Sequence, residues 1–452
     1  MTESIGLDAV MVPDRPQPSA PKTAKGRQTR EAILAALKRV LNSQGYHGTT
    51  ISQVVAEAGV PTGSFYRYFA GKPEATVELL ERLLDNYLAA IPAARDLPSF
   101  WERELALHLS HAGLYKSDRG LLGCYFTYDT SVPAFASAFW EHTKGFLDSH
   151  ILALAAVRPG SDLPVALLRP ALLALVSMTE NVIFRRFTGR DPGLGLSAEQ
   201  LVYAVLRLRH RALFLSDPPP STAPDPDPAP AGEGLAEAGA PFVTDPTGRR
   251  KDSQLTLQRM RQATLTLLDT SGYEELRLSD IEEASGLTRG AIYHHYKDKR
   301  ELVLSIVSER LADITLALER VEIRPGDAAF ASLLALNAVF VDAFSASRAL
   351  MKTLYHLEEV DADFGAYYQQ VRGGWATTLA EKLESLCDGA IPARKDIAAF
   401  AFLAMTDRFL YDIYSLRYDE FEDLRAAPDQ AARLLALIWH RALLARNPSV
   451  QV

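Results

Sequence analysis

Two short stretches of this 452-residue chain carry side chains suited to gripping a phosphate backbone and reading base edges. The first, GVPTGSFYRYF (Gly59 to Phe69), offers Thr62, Ser64, Tyr66, Arg67 and Tyr68, with Lys72 close behind. The second, GLTRGAIYHHY (Gly286 to Tyr296), offers Thr288, Arg289, Tyr293, His294 and His295, followed by Lys299. Hydroxyl groups bond phosphate oxygens, and an Arg guanidinium can hold a guanine edge through two parallel hydrogen bonds. A lysine at a helix start adds its charge to a dipole that already favours phosphate. Gly59 and Gly286, Gly63 and Gly290, Tyr66 and Tyr293, and Lys72 and Lys299 are each 227 positions apart (286 − 59, 290 − 63, 293 − 66, 299 − 72). One device therefore occurs twice, without a gap. Phe69 and Tyr296 read instead as packing residues.

Short helices must position these groups. From Arg27 the apolar residues Ile33, Leu34, Leu37, Val40 and Leu41 recur at helical spacing, and Gly45 is expected to end that helix. Thr50 and Gln53 have capping-box spacing at the start of a second helix, which Gly59 closes. Pro61 opens a third, and Pro73 lies in the first turn of a fourth, where its missing N–H costs nothing. A short helix, a tight glycine turn and a second short helix make a helix-turn-helix, whose second helix enters the DNA major groove. The second copy replaces Thr50 by Arg277, and its Ser279 and Glu282 again have capping-box spacing.

Beyond the heads the pattern stays helical, with long segments near Leu163 to Phe187 and Ser197 to Leu215 and no convincing alternating strand in this half. The fold class read from this is all-α. The stretch from Ser216 to Pro241, rich in Pro, Ala, Asp and Gly, reads as a linker. After it the first half repeats: Met178–Glu180 answers Met405–Asp407 at 227 (405 − 178), and His210–Leu213 answers His440–Leu443 at 230 (440 − 210). A three-residue insertion late in the second copy accounts for the slip. The expected divisions are an arm (1–26), a first head (27–87), a first body (88–215), a linker (216–248), a second head (249–314) and a second body (315–446).

Net charge is −8, but from Lys22 to Lys72 eight Lys/Arg face two acids, a local +6. From Arg249 to Arg300 ten face eight acids, a local +2, leaving −16 for the rest (−8 − 8). Basic heads on acidic bodies can bind phosphate and stay in solution. Lys22 and Lys25 in the arm could reach a groove or belong to a solvated tail. Two cysteines, Cys124 and Cys387, suit a reducing cytoplasm and do not match in the repeat register (387 − 124 = 263). The first residues lack the apolar run of a signal peptide, and LPVALLRPALLALVSM, interrupted by Arg169 and Pro170, reads as a buried core helix.

TTISQVVAEAGVPTGSFYRYFAGKPE and LRLSDIEEASGLTRGAIYHHYKDKRE resemble the DNA-binding domain of TetR-family transcriptional regulators, twice over. The resemblance covers about sixty residues per copy by motif and the bodies by pattern alone. It implies double-stranded operator DNA as partner. It also implies a four-helix pairing interface made by the last two long helices of each unit, and a ligand pocket enclosed by the other helices. The whole resembles single-chain double-TetR repressors among regulators of lipid uptake and catabolism. It implies a repressor released by a small apolar effector, and a pseudo-dimer with two unlike recognition helices. Two alternatives stand beside it: a homodimer with four heads, and an effector-binding scaffold whose more acidic second head no longer binds DNA.

The family's pocket falls among Tyr125, Tyr128, Phe139, Trp140, Glu180 and Phe184 in the first body, and Tyr355, His356, Tyr368, Trp375, Asp407 and Tyr411 in the second. Glu180 and Asp407 could bind ligand or pair with Arg185 and Arg408. His108 and His111 could share a metal, but no Cys or carboxylate cluster in the sequence supports it, so no metal or cofactor is expected. No nucleophile elbow, phosphate loop or metalloprotease motif occurs, so the chain does not read as an enzyme.

Overall fold

The computed structural model describes residues 21–95, 97, 99–127, 133–155, 163–219, 251–416 and 418–449. Among the described residues the chain is helical, without a strand. The first unit contains α1 (Ala24–Gly48), α2 (Ile51–Ala58), α3 (Thr62–Tyr68), α4 (Lys72–Arg95), α5 (Phe100–Thr127), α6 (Pro133–Ala155), α7 (Val165–Phe187) and α8 (Ala198–Phe214). The second contains α9 (Lys251–Glu275), α10 (Leu278–Ser285), α11 (Arg289–His295), α12 (Lys299–Arg320), α13 (Ala329–Ala346), α14 (Arg348–Val360), α15 (Ala362–Leu386), α16 (Lys395–Tyr411), α17 (Glu422–Ala426) and α18 (Pro428–Leu444). The bounds of α9 to α11 are those of α1 to α3 plus 227 at both ends (24 + 227 = 251, 68 + 227 = 295), and α18 is α8 plus 230 (198 + 230 = 428). The two units are tandem copies.

Local chemistry sets the head helices. Thr50 Oγ1 accepts the Gln53 N–H at 3.3 Å while Gln53 Oε1 accepts the Thr50 N–H at 2.8 Å, the reciprocal cap expected from the spacing. Gly59 and Gly286 close α2 and α10 with φ of 66° and 62°, a conformation that a side chain would strain. Gly45 ends the main run of α1 as expected: its φ of 69° and ψ of 179° break the helix, and a short turn follows to Gly48. One expectation is corrected. Ser279 does not cap α10. The helix begins one residue earlier, and the Asp280 carboxylate accepts the Arg277 N–H at 3.3 Å.

In the bodies the copies diverge in detail. α5 kinks at Asp118 (φ −135°), whereas the second copy breaks into α13 and α14 at Ser347 (φ −157°), giving a register of 229 here (347 − 118). The residues between α16 and α18 hold the insertion, including one π-helical turn, Asp412–Leu416.

The core lies where the units meet. Every residue from Pro170 to Arg185 of α7 and from Asp396 to Tyr411 of α16 is buried. This is why α7 is apolar all round and long enough to cross a bilayer, as is the Gly326–Ala346 stretch. Burial against α16 accounts for that composition in α7. α7 and α8 pack on α16 and α18. Polar ties cross the junction: Asn181 Nδ2 donates to the Ala404 carbonyl at 2.9 Å, Ser177 Oγ to Asp412 at 3.1 Å, and Arg394 to the Leu194 carbonyl at 3.0 Å. The loop after α7 sends Arg190 onto Glu359, and the segment before α17 sends Tyr418 onto Trp140.

Candidate nucleic-acid interface and body interiors

On the first head, Thr62 and Arg67 of α3 are exposed and Ser64 is half-buried. Tyr66 is half-buried, with its ring edge-on to Phe65 at 5.6 Å. Thr50 is exposed beside them at the start of α2. All five lie outside the head's buried core. Tyr68 does not join them: it is 7% exposed, in the head's core near Phe65 and Phe69. The period of the helix turns it inward, so the sequence expectation for Tyr68 is corrected to packing.

On the second head Thr288 caps α11, its hydroxyl accepting the Ala291 N–H at 3.3 Å, and it remains exposed. Arg289, Tyr293 and His294 are exposed, and His295 is half-buried with its ring 5.1 Å from His294. Arg289 lies 3.5 Å from Glu282 of α10 and over the Tyr293 ring at 5.8 Å, so part of its charge is answered within the head. In the 227 register Arg289 answers Thr62 and Glu282 answers Val55 (289 − 62, 282 − 55), so the first head lacks this pair.

Lys72 and Lys299 are also corrected. Lys72 Nζ donates to the Tyr46 and Thr49 carbonyls at 2.7 and 2.9 Å and sits 4.0 Å from the Tyr46 ring centroid. Lys299 Nζ donates to the Tyr273 carbonyl at 2.9 Å and lies over the Tyr273 ring at 4.6 Å. Each ammonium staples the kinked end of the head's long first helix to the next long helix, rather than pointing at a phosphate. Burial holds the Lys72 ammonium below its ordinary pKa.

The predicted pocket residues divide. Tyr128 and the side chains of Tyr125 and Phe139 lie outside the described residues. Trp140 stacks on Tyr418 of the second unit at 4.0 Å and belongs to the junction. His356 leaves the body altogether: its Nε2 lies 2.7 Å from Glu274 of the second head, and its ring is edge-on to His47 of the first at 5.7 Å. Tyr368 and Trp375 are buried in the second body, Trp375 Nε1 donating to Thr315 at 2.8 Å. Phe184, Tyr355, Asp407 and Tyr411 come together instead of forming two pockets. They line one small cavity across the junction with Arg185 and Glu358.

The acids choose other partners than expected. Asp407 pairs with Arg372, Arg408 with Asp412 at 3.0 Å, and Arg185 with Glu358 at 3.3 Å. Burial pushes the Glu358 carboxyl up, but Arg185 and Arg190 outweigh it and hold it below its ordinary value. Burial raises Asp412 to about 6 despite Arg408. Glu180 is buried facing Tyr87 and Tyr115, whose hydroxyls are driven far up by burial and then by its charge.

One cluster was not singled out from sequence. In the first body Glu104, His108, His150 and Arg209 meet, all buried. Arg209 lies 2.8 Å from Glu104 and 2.7 Å from His108 Nε2, and His150 Nε2 lies 2.8 Å from Glu104. Burial raises the Glu104 carboxyl, but Arg209 and His150 outweigh it and keep it well below its ordinary range. Carboxylate and imidazole groups at this spacing could hold a metal ion, but the guanidinium already supplies the cation there. Beside the cluster both ring nitrogens of His111, the Tyr115 hydroxyl and His142 Nδ1 lack hydrogen-bond partners. In the 229 register the second body answers Glu104, His108, His111 and His150 with Leu333, Asn337, Phe340 and Leu379. At 230 it answers Arg209 with Trp439. The spacing of Glu104 and His108 on one helix face was visible in the sequence; the approach of His150 and Arg209 was not.

The profile of the family described as bacterial regulatory proteins, tetR family, matches residues 33–74 and 261–306, one stretch in each head. The HTH-type transcriptional regulator HbdR of Aromatoleum sp. (strain CIB) is 39% identical over 72 residues, 16% of this chain and 31% of that protein. The HTH-type transcriptional regulator LmrA of Bacillus subtilis is 39% identical over 56 residues, 12% of this chain and 30% of that protein. The chain thus spans about a third of the length of these relatives. AcrR of Shigella flexneri, also an HTH-type transcriptional regulator, is 28% identical over 152 residues, 32% of this chain and 68% of that protein. A crystal structure of a bacterial regulatory protein in the tetR family from Rhodococcus RHA1 covers 40% of this chain and 95% of its own, at 22% identity and a TM-score of 0.34.

Proposed function

We propose that this chain, a tandem member of the tetR family of bacterial regulatory proteins, is a cytoplasmic single-chain repressor that uses its two unlike heads to grip one non-palindromic operator. The observation that carries this reading is the pairing of α7 and α8 with α16 and α18 inside one chain. On this reading the second unit takes the place that a partner subunit would otherwise fill. The heads take residues 27–87 and 249–314, the bodies 88–215 and 315–446, and 216–248 connects them.

On the first head Thr50, Thr62, Ser64, Tyr66 and Arg67 meet the DNA, and on the second Thr288, Arg289, Tyr293, His294 and His295. Hydroxyl groups fix the register on phosphates while Arg67 and Arg289 read base edges. Release follows when a small effector enters the first body. The support for a site there is that the buried His111 ring nitrogens and Tyr115 hydroxyl lack hydrogen-bond partners, so polar substituents of an apolar effector would meet them.

Light scattering of the protein, alone and with an operator selected from random duplexes, tests the reading. A monomer near the 49.7 kDa of the chain that binds one asymmetric site one-to-one is expected. A stable dimer, or a palindromic site, overturns it. A second reading rests on the pairing of Arg289 with Glu282: the second head has ceased to bind DNA. Unchanged operator affinity and salt slope after Arg289→Ala and Tyr293→Ala together support that instead.

A further inference from the structure

The two heads converge on a side chain from α14. His356 Nε2 lies 2.7 Å from the Glu274 carboxylate of the second head, and its ring stands edge-on to His47 of the first, at 5.7 Å and 87°. His47 and Glu274 are matched residues of the two copies (274 − 47 = 227). Each lies in the last turn of its head's long first helix, just past a glycine of positive φ, Gly45 at 69° and Gly272 at 74°. Each also lies on a segment that a stapling lysine holds. Lys72 takes the carbonyls of Tyr46 and Thr49 on either side of His47, and Lys299 that of Tyr273 beside Glu274. Braced pieces of both heads therefore reach the same imidazole.

The Glu274 side chain is 67% exposed and that of His356 14%. An exposed ion pair contributes little stability, and an edge-on aromatic pair is worth roughly two- to tenfold in an equilibrium constant. Contacts of that size do not hold a fold together, but they do select among orientations of domains that are already folded. In the 229 register Thr127 stands where the second body has His356 (356 − 229), so the first body offers no imidazole at the matching position.

We propose that His356 is a positioning residue for operator binding: through His47 and Glu274 it fixes the distance between the two recognition helices, α3 and α11. The proposal rests on the reading that both heads grip one operator. Along a duplex each base pair adds about 3.4 Å and turns the groove by about 35°. A chain with pinned heads accepts one half-site spacing, and a chain with loose heads accepts several.

Spin labels at matched exposed sites of α1 and α9, Ala35→Cys and Gln262→Cys, report the distance between the heads by double electron–electron resonance in the full chain without DNA. Burial holds the native thiols of Cys124 and Cys387 protonated, so the introduced cysteines take the label. One narrow distance is expected. His356→Leu and, separately, His47→Ala are expected to widen the distribution by about twofold or more. The double variant should be no wider than His356→Leu, because both changes act through one contact. Thermal melts should move little, which separates loss of positioning from loss of fold. His47 is exposed, so His47→Ala keeps the test open should His356→Leu disturb α14. With an operator selected from random duplexes, one base pair inserted between the half-sites is expected to weaken wild-type binding about tenfold and His356→Leu binding less than about threefold.

An unchanged distribution in the folded variants, or widening that adds in the double variant, overturns the proposal. Equal tolerance of the inserted base pair by wild type and His356→Leu does the same. The distance measurement contains no DNA. Should the selected site be palindromic or the protein a dimer, the repressor reading falls and the distances still decide whether the bridge holds the heads. Should the distances not change, the bridge falls and the repressor reading stands.

Discussion

Arg211 and Arg441, matched residues of the two copies, hold each other's helix ends. Arg211 Nε donates to the Ala442 carbonyl at 2.7 Å and Nη2 to Leu443 at 3.1 Å. Arg441 donates from Nε to the Ala212 carbonyl at 2.5 Å and from Nη2 to Leu213 at 3.0 Å. The last carbonyls of a helix have no partner within it and carry its negative end, so a crossed guanidinium both satisfies and neutralises them. The exchange is a two-fold relation inside one chain.

Arg441→Met removes the donors from two buried carbonyls and is expected to cost about 2–4 kcal/mol in urea unfolding. Arg211→Met is expected to cost less, because Arg211 is partly exposed and also pairs with Asp217 at 3.0 Å. Equal melts for wild type and Arg441→Met would show that the crossed bonds contribute nothing.

The braced lysines separate two roles that sequence merges. Arg67→Ala is expected to weaken operator binding by about 1–3 kcal/mol, or roughly 5- to 150-fold, if it holds a guanine edge. Lys72→Met should lower the melting temperature of the first head while leaving the slope of log affinity against log salt unchanged. A residue bound to phosphate would instead lower that slope by about one. A slope change in Lys72→Met with an unaltered melt returns Lys72 to the interface.

What the sequence made legible was local. The cap between Thr50 and Gln53, the turns at Gly59 and Gly286 and the repeat register need only neighbours a few residues away, and all three are seen. Partner choice was not legible. Asp407 takes Arg372, 35 residues away, in place of the adjacent Arg408, and Arg185 reaches Glu358, 173 residues away. The turn of a helix decides that outcome. Asp407 and Arg408 leave the axis about 100° apart, so only one can face α15. Lys72 shows the same limit: its spacing fits a phosphate contact, but the carbonyl at Tyr46, 26 residues back, comes nearer.

Leu215 and Ala445 end α8 and α18 in matched left-handed conformations, with φ of 56° and 49° (445 − 215 = 230). A residue with a Cβ is disfavoured there by about 1–2 kcal/mol. Ala445→Gly is expected to raise stability by up to about 1 kcal/mol, the gain being reduced by the greater freedom of glycine in the unfolded chain. Thermal unfolding checks the sign, and a lowered midpoint would mean that the Ala445 methyl contributes packing that outweighs the strain.

The polar interior of the first body should make it the acid-sensitive half. Burial lowers His111 to about 3, and His108 and His142 each to about 4. In the unfolded chain a histidine titrates near 6.5. Above that value both states are neutral and the histidines cost nothing. As pH falls below it, the unfolded chain takes up protons that the folded body refuses, so stability declines until the folded values are reached. Each unit of separation is worth about 1.4 kcal/mol, so one such histidine suffices for a measurable slope. The second body, with Phe340 at the position matching His111, lacks that term. Urea unfolding between pH 6.5 and 4.5 is expected to show a steep loss of stability. His111→Phe should flatten it, since the phenyl ring copies the arrangement of the second body. Were the pH slope of the variant as steep as that of the wild type, the acid sensitivity would have to come from the other buried histidines, His108 and His142, each lowered to about 4; Asp412, raised to about 6, takes up its proton first in the folded state and acts in the opposite sense.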